Sequence, residues 1–463
     1  MNRRKALAVL SGLAVGGLTG CSDPGSPLRI AVVWSGEELK RFRRFVRDYH
    51  QEVVVYSGGE DIAALLQNPA GPDVAIIPQP WLLDNPKISR RIQPVLQPVA
   101  PTGADEWQKL VLAAPGTSAS GTAADGNATG PAVQVKGVWF KVTHKSLIWR
   151  GPNAPPFSAG PGDGDPASGC GEGALPSGCE GGWEGWLEHC RRLARDGTPP
   201  LSIAAADGWT LTDWFENVLL GISRETYAGL LNNVAGAWND ENVEKALTSL
   251  ATLWSIPGLV PGGFPRALTT QFHDSILDVF YYRNADMLSA PDFAWPVIKR
   301  YHRPPGNPPA PKPIRFPWPC GKPQPPVLVG GDVAVALGPG RASAVDFVKW
   351  ITDPRGGVEG LKDWAREGGF LSPELSPDVY PDELRDLARE VRTPPAPSVP
   401  PGAFDLSDKL TGGLAGGDGK GLWRILTKLF IEVADDGARG SGCGKPVAGP
   451  VARALEHLRK SAG

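Results

Sequence analysis

Three apolar runs separated by two amphipathic segments constrain the fold of this chain more than any other feature. Residues 28–34 (LRIAVVW) are apolar almost throughout, as expected of a strand buried on both faces of a parallel sheet. The segment after it places Leu39, Phe42, Val46 and Tyr49 on one helical stripe, and Ser35 with Glu38 has the spacing of a capping box. Residues 52–56 read as a second strand, 60–68 as a short helix, and 73–77 as a third strand closed by Pro78. This alternation predicts right-handed βαβ units in an open α/β sheet. Such sheets bind ligands in the crevice beyond the carboxyl ends of their strands. Trp34, Ser35, Glu37 and Glu38 fall at one strand end, and Gln79, Pro80 and Trp81 at another.

With 463 residues the chain exceeds what one small core can hold, so two lobes are expected. Residues 201–221 (LSIAAADGWTLTDWFENVLLG) repeat the pattern of strand, break and helix. Leu211, Trp214, Phe215, Val218 and Leu219 form the apolar face of that helix, and Thr210 with Asp213 has capping-box spacing. Such a cap turns Trp209 away from the packed face toward a crevice, whereas Trp214 points into the core. Residues 137–149 (GVWFKVTHKSLIW) are longer than one sheet edge requires and are expected to cross between lobes. Further helices are predicted at 183–195, 226–237, 240–254, 267–281, 342–351, 358–367, 382–392, 422–434 and 451–460. Strands are predicted at 285–289 and 327–337, the latter with a bulge or close backbone approach at Gly330-Gly331. Gly- and Pro-rich stretches at 114–131, 151–182 and 304–326 read as surface insertions.

Charge and the N-terminus bound the function. The net charge of −2, with no basic run beyond the first residues, argues against a nucleic-acid partner. Sixteen Trp outnumber seven Tyr, and flat indole faces stack well on the apolar CH faces of sugar rings. Arg3, Arg4 and Lys5 precede an apolar stretch at 6–18 that is too short for a stable membrane span. It ends in Leu18-Thr19-Gly20-Cys21, which resembles the lipobox of bacterial lipoproteins. The resemblance implies a signal peptide at 1–20, diacylglycerol on Cys21, and a tether at 21–27 holding the chain on the outer face of the cell membrane. The paired arginines keep a twin-arginine export route open beside the general one.

That compartment permits disulfides. Cys170 and Cys179 bracket a Gly/Pro-rich loop, and Cys320 and Cys443 sit in turn-like sequence, so pairs 170–179 and 320–443 are expected. Cys190 lies on an apolar helix face and is expected to stay reduced. The cysteine spacings do not suit zinc and the six His are scattered, so neither a metal nor a cofactor is expected.

Ten segments in order resemble one family. They are VVWSGEEL, GPDVAIIPQPWL, GVWFKVTHKSLIW, the Trp-centred helix at 182–195, GWTLTDWFENVLL, AWNDENVEKALTSLATLW, PVLVGGDVAVAL, AVDFVKWITDP, GGFLSPEL and FDLSDKLTGGLAGGDGKGLWRIL. Together they are similar to the carbohydrate-binding lipoproteins of ABC importers, of α-glucoside and maltose type. The resemblance implies a two-lobed α/β fold of the periplasmic binding protein-like II class, with hinge crossings and a helical C-terminal region. It implies lobe 1 from 28–140 and 285–330, and lobe 2 from 141–284 and 331–463. It also implies a monomer with two partners, a carbohydrate ligand and the importer's permease subunits, and no enzymatic step.

The same resemblance nominates contact positions. Trp34, Glu37 and Glu38 match the loop after the first strand, and Gln79 and Trp81 the loop after the third. Lys141 and Thr143 match the first crossing, Trp209 and Asp213 the turn in the second lobe, Asp292 and Phe293 a polar–aromatic pair, and Gly331-Asp332 the last crossing. Phe370 is a further match, while Trp81 and Arg150 depart from the family pattern. Carboxylates and amides suit vicinal hydroxyls, and aromatic rings suit sugar faces. Each carboxylate has a structural alternative as a helix cap, a hinge bond or a solvated charge. Two other functions fit the same residues: a binder of a non-sugar solute such as an osmolyte, with an aromatic cage for a cation, or a sensor without a permease. More remote is an anchored glycoside hydrolase, with Glu37 or Glu38 opposite Asp292 or Asp332 at about 5–9 Å.

Overall fold

The computed structural model describes residues 26–58, 62–98, 132–152, 154, 182–302, 311–319, 325–338, 341–391, 402–410, 412–414, 421–438 and 447–462. Cys21, Cys170, Cys179, Cys320 and Cys443, with most of the three insertions, lie outside the described residues. Cys190 is buried on its helix with a free thiol, and burial pushes that thiol's pKa up.

The chain opens with β1 (Leu28–Val32), α1 (Gly36–Phe45), β2 (Val53–Ser57), α2 (Ile62–Gln67) and β3 (Val74–Ile77), in the predicted order. After α3 (Pro86–Ser89), β4 (Val95–Pro98) pairs with β5 (Ala132–Val135). Then come β6 (Val138–His144), β7 (Leu147–Arg150), α4 (Gly182–Arg195), α5 (Gly208–Ile222), α6 (Arg224–Leu231), α7 (Glu241–Trp254), α8 (Phe264–Ala267), α9 (Phe272–Phe280), β8 (Met287–Ser289), α10 (Trp295–Tyr301), β9 (Ile314–Arg315) and β10 (Leu328–Ala336). The remainder is α11 (Ala342–Trp350), α12 (Gly357–Glu367), α13 (Asp382–Glu390), β11 (Ala403–Phe404), α14 (Gly421–Ala438) and α15 (Ala448–Ala462).

The first sheet runs β2-β1-β3-β10-β11, with β6 also on β10. β1 pairs in parallel with β2 and β3, so Ile30 faces Val55 on one side and Val74 on the other. Leu28, Ile30, Ala31, Val32 and all of β3 are fully buried, which is why these runs carry no polar alternation. β2 is the edge strand and is partly exposed. A second sheet, β8-β7-β9, lies on the other side of the break at Lys145-Ser146. The segment therefore folds as two strands, one in each sheet.

β10 pairs with three strands of the first sheet. Leu328 and Val329 pair with β11, Val329–Ala334 face β6, and Val333–Ala336 face β3. Gly331 permits this: a Cβ there would stand 2.6 Å from the carbonyl oxygen of Lys141, so only glycine lets the crossing strands approach. The register also shifts between Asp332 and Val333, the irregularity expected near the glycine pair.

The lobes are assembled differently from the expected partition. β8 and β9 pair with β7 in the second sheet, whereas 285–330 was assigned to lobe 1. α11 and α12 pack on α1, with Trp350–Phe45 at 4.9 Å, Phe347–Tyr49 at 5.0 Å and Trp364–Trp34 at 6.0 Å, whereas 331–463 was assigned to lobe 2. The physical reason is that β10 itself carries the chain back to the first sheet. α14 and α15 return to the second lobe, packing on α5 and α7 with Phe430 against Trp254 at 5.3 Å.

Three local expectations also fail. Residues 201–205 form no strand, and only Leu201 bridges Met287. The helix expected at 226–237 stops at Leu231, where Asn233 and Gly236 take left-handed conformations. The helix expected at 267–281 starts only at Phe272.

Candidate functional site

The carboxyl ends of β1 and β3 and the crossing strands β6 and β10 meet at one edge of the first sheet. β3 lies parallel to β1, so its following loop, with Gln79 and Trp81, shares an edge with Trp34 and α1. Lys141 on β6 and Asp332 on β10 are direct cross-strand partners at the same edge.

Lys141 is the centre of this site. Its ammonium pairs with Glu38 on α1 and stands 5.4 Å from the centroid of the Phe293 ring. Burial alone would lower its pKa, but Glu38 and Asp332, with Asp292 further on, outweigh burial and raise it. Burial pushes Asp332 up to about 6 against the pull of Lys141. The Trp34 indole N–H donates to Asp332 Oδ2 at 3.2 Å. Asp292, fully buried just after β8, accepts from the His144 backbone N–H at 2.7 Å through Oδ1. Its Oδ2 has no hydrogen-bond partner among the described residues, and burial pushes its pKa up to about 7. A buried carboxylate oxygen without a donor is costly.

The second lobe adds an aromatic cluster. Trp209 at the start of α5 lies 5.1 Å from Phe272 and 6.1 Å from Phe293, and those two rings are 5.3 Å apart. All three rings are half-buried. Phe272 is held there because its backbone N–H donates to Asp207 Oδ2 at 2.6 Å, just before α5. Lys145 stands 5.7 Å from the Trp209 ring centroid and is paired with Asp213 at 3.0 Å and with Asp405. Burial pushes Asp213 up to about 7, opposed by Lys145.

Both predicted capping boxes dissolve into this arrangement. Ser35 and Asp207 occupy the N-cap positions without a side-chain cap bond, Glu38 goes to Lys141, and Asp213 goes to Lys145. Thr210 instead donates to the carbonyls of Ala204 and Asp207. A buried ammonium outcompetes a backbone amide for a carboxylate.

The nominated residues thus divide. Glu38, Lys141, Asp292, Phe293, Asp332 and Trp209 are brought together, and Gly331 sets the strand approach. Asp213 is tied into the Lys145 network, and Thr143 is buried opposite Gly330 in the hinge. Trp34 is 6 % exposed and packed by Phe42, Phe140 and Trp364, so it orients Asp332 and offers no free ring face. Glu37 is exposed and paired with Lys40 one turn on, away from the cluster. Gln79 and Trp81 are half-buried on the turn after β3, with Trp81 against the core. Phe370 is a core residue with no exposed surface, 4.5 Å from Trp364 and 5.3 Å from Phe140, and cannot touch a ligand.

Lys145, Phe272, Asp405 and His144 carried no sequence signal of their own. His144, bonded through Nε2 to Glu390 at 2.9 Å and to Arg315 at 3.0 Å, fixes the strand end that presents its N–H to Asp292. Among the described residues no group of three or more His, Cys, Asp or Glu could hold a metal ion. Among them, too, no helix is long and apolar enough to cross a membrane.

No family model matches the sequence. The osmoprotective compounds-binding protein GgtB of Synechocystis sp. is 28% identical over 287 residues, a match spanning 57% of this chain and 60% of that protein's length. The bacterial solute receptor AcbH, described as preferring β-D-galactopyranose, superposes with a TM-score of 0.61 at 15% identity, over 95% of this chain and 98% of its own. The binding protein MsmE of Bacillus subtilis, in an open conformation, gives 0.60 at 12% identity, over 95% and 98%. Apo RafE from Streptococcus pneumoniae gives 0.59 at 14% identity, over 96% and 100%. The chain has the two-lobed α/β fold of the solute-binding proteins, with the Lys141 cluster and the Trp209 rings set around its hinge strands.

Proposed function

We propose that this chain is the extracytoplasmic capture subunit of an ABC importer, anchored through Cys21, and that it holds a neutral carbohydrate of oligosaccharide or α-glucoside type between its lobes. One observation carries the choice of ligand. The two aromatic faces best placed for stacking already have ammonium groups beside them: Lys141 at Phe293 and Lys145 at Trp209. A quaternary ammonium ligand would have to compete with those ammonium groups for the same rings. A sugar brings no charge, stacks its CH face, and offers hydroxyls to Glu38, the partly exposed carboxylate beside Lys141. Closure of the lobes would bury it, and the permease would read the closed state.

The 28% relative named for osmoprotective compounds favours a second reading, a compatible solute. With both rings already beside ammonium groups, uncharged polyhydroxylated members of that class fit the site best. A thermal-shift screen of monosaccharides, disaccharides, oligosaccharides, betaine and choline tests both readings, because stabilisation reports binding directly. Stabilisation by neutral sugars alone supports the proposal. Stabilisation by betaine or choline with no response to any sugar overturns it. Release of reducing sugar from a glycoside panel would point instead to hydrolysis.

A further inference from the structure

The first turns of the chain hold a basic surface that the ligand site does not use. α1 and the turn after it carry Lys40, Arg41, Arg43, Arg44 and Arg47. Lys40 is paired with Glu37 and Arg41 with Glu367. Arg43, Arg44 and Arg47 are exposed and, among the described residues, carry no ion pair. Arg43 reaches across to the backbone carbonyl of Val55 on the edge strand β2 at 3.3 Å. Between helix and edge strand runs an open groove of about 520 Å³ whose lining includes Arg43, Arg47, His50, Gln51 and Val53. Glu52 also lines it, and Asp48 lies on the side facing α12, near Gly360.

The chain enters the fold at the rim of this groove. Gln51 donates to the Ser26 carbonyl at 3.1 Å, and Arg341 donates to the carbonyls of Ser26 and Pro27 at 3.0 and 2.9 Å. Ser26 lies five positions after Cys21, a reach of at most roughly 18 Å. A lipid on Cys21 therefore holds the groove within about two screening lengths of the bilayer surface. The opposite end of β1 leads to Trp34 and the ligand site.

We propose that the face formed by Arg43, Arg44 and Arg47 beside β2 docks on anionic lipid headgroups of the membrane that carries the chain. Docked this way, the tethered protein rests with its ligand site turned from the bilayer. This rests on the lipobox reading of Cys21 for proximity and on the unpaired arginines for the contact. Each basic residue at an anionic surface strengthens partitioning roughly fivefold, so three, opposed in part by Glu52 and Asp48, supply on the order of tenfold.

The test uses the mature chain from residue 21 with Cys21→Ser, which keeps every described residue and removes the lipid. It is co-sedimented with vesicles of phosphatidylcholine alone or with one-third phosphatidylglycerol. Binding should be at least about tenfold stronger to the anionic vesicles and lost near 0.5 M salt, where screening is short. The triple variant Arg43→Gln/Arg44→Gln/Arg47→Gln, and the charge-reversed Arg43→Glu/Arg44→Glu/Arg47→Glu, should lose that preference while melting normally. Equal binding of wild type and the Gln variant, or no wild-type binding at low salt, overturns the proposal. So does binding of soluble polyphosphate without binding of vesicles. Whether Cys21→Ser leaves the membrane fraction of expressing cells reads the anchor separately, so failure of one reading is told from failure of the other.

Discussion

Trp209→Ala separates ligand binding from folding. Trp209 is half-buried, with Phe272 at 5.1 Å and Phe293 at 6.1 Å as its ring neighbours. An indole buries about 200 Å² when fully enclosed, so a ligand stacked on the free part removes on the order of 100 Å² from water. At about 25 cal/mol per Å² this is about 2.5 kcal/mol, or roughly 70-fold in Kd. The cost to the empty protein is smaller: two tilted ring contacts amount to about 1–2 kcal/mol, and in a chain this large the melting temperature falls by only a few degrees. Calorimetric titration of the sugar that stabilises the wild type most, with melting of both ligand-free proteins, reads the two quantities. An affinity within threefold of wild type would refute the stacking argument. A melting temperature lowered by more than about 10 °C would mean that Trp209 is core.

Two further substitutions probe the rest of the site. Asp292→Asn should change the pH dependence of stability. Because burial holds Asp292 near 7, above its unfolded value, the native state binds the extra proton and its stability falls as pH rises from about 4 through 7. The melting temperature of Asp292→Asn relative to wild type should therefore rise between pH 5 and 8, and a flat difference would contradict the assignment. Phe370→Ala should cost about 3–5 kcal/mol of stability by chemical denaturation and leave sugar affinity unchanged. A selective loss of affinity would return Phe370 to the site.

Much of the fold was legible because burial on both faces forces apolar continuity. Residues 28–34 and 73–77, the stripe Phe42–Val46–Tyr49 and the face of α7 were readable on that ground. What periodicity cannot encode is which sheet a strand joins. β8, three residues long, and β9, two residues long, are too short to declare a partner, and α11 and α12 reveal their lobe only through Trp350, Phe347 and Trp364 against α1. The site was half legible for a related reason. Glu38 and Asp213 look like local caps, and only the tertiary placement of Lys141 and Lys145 turns them outward from their own helices. Phe370 matched by position in the chain, but its neighbours Trp364 and Phe140 enclose it.

Capture as proposed requires that the lobes close around an uncharged sugar. Small-angle X-ray scattering of the wild type, alone and saturated with the sugar that raises its melting temperature most, tests it directly. Closure around a sugar gives a more compact particle with sugar and an unchanged curve with choline at the same concentration. Identical curves with and without a stabilising sugar, or compaction by choline, would contradict it.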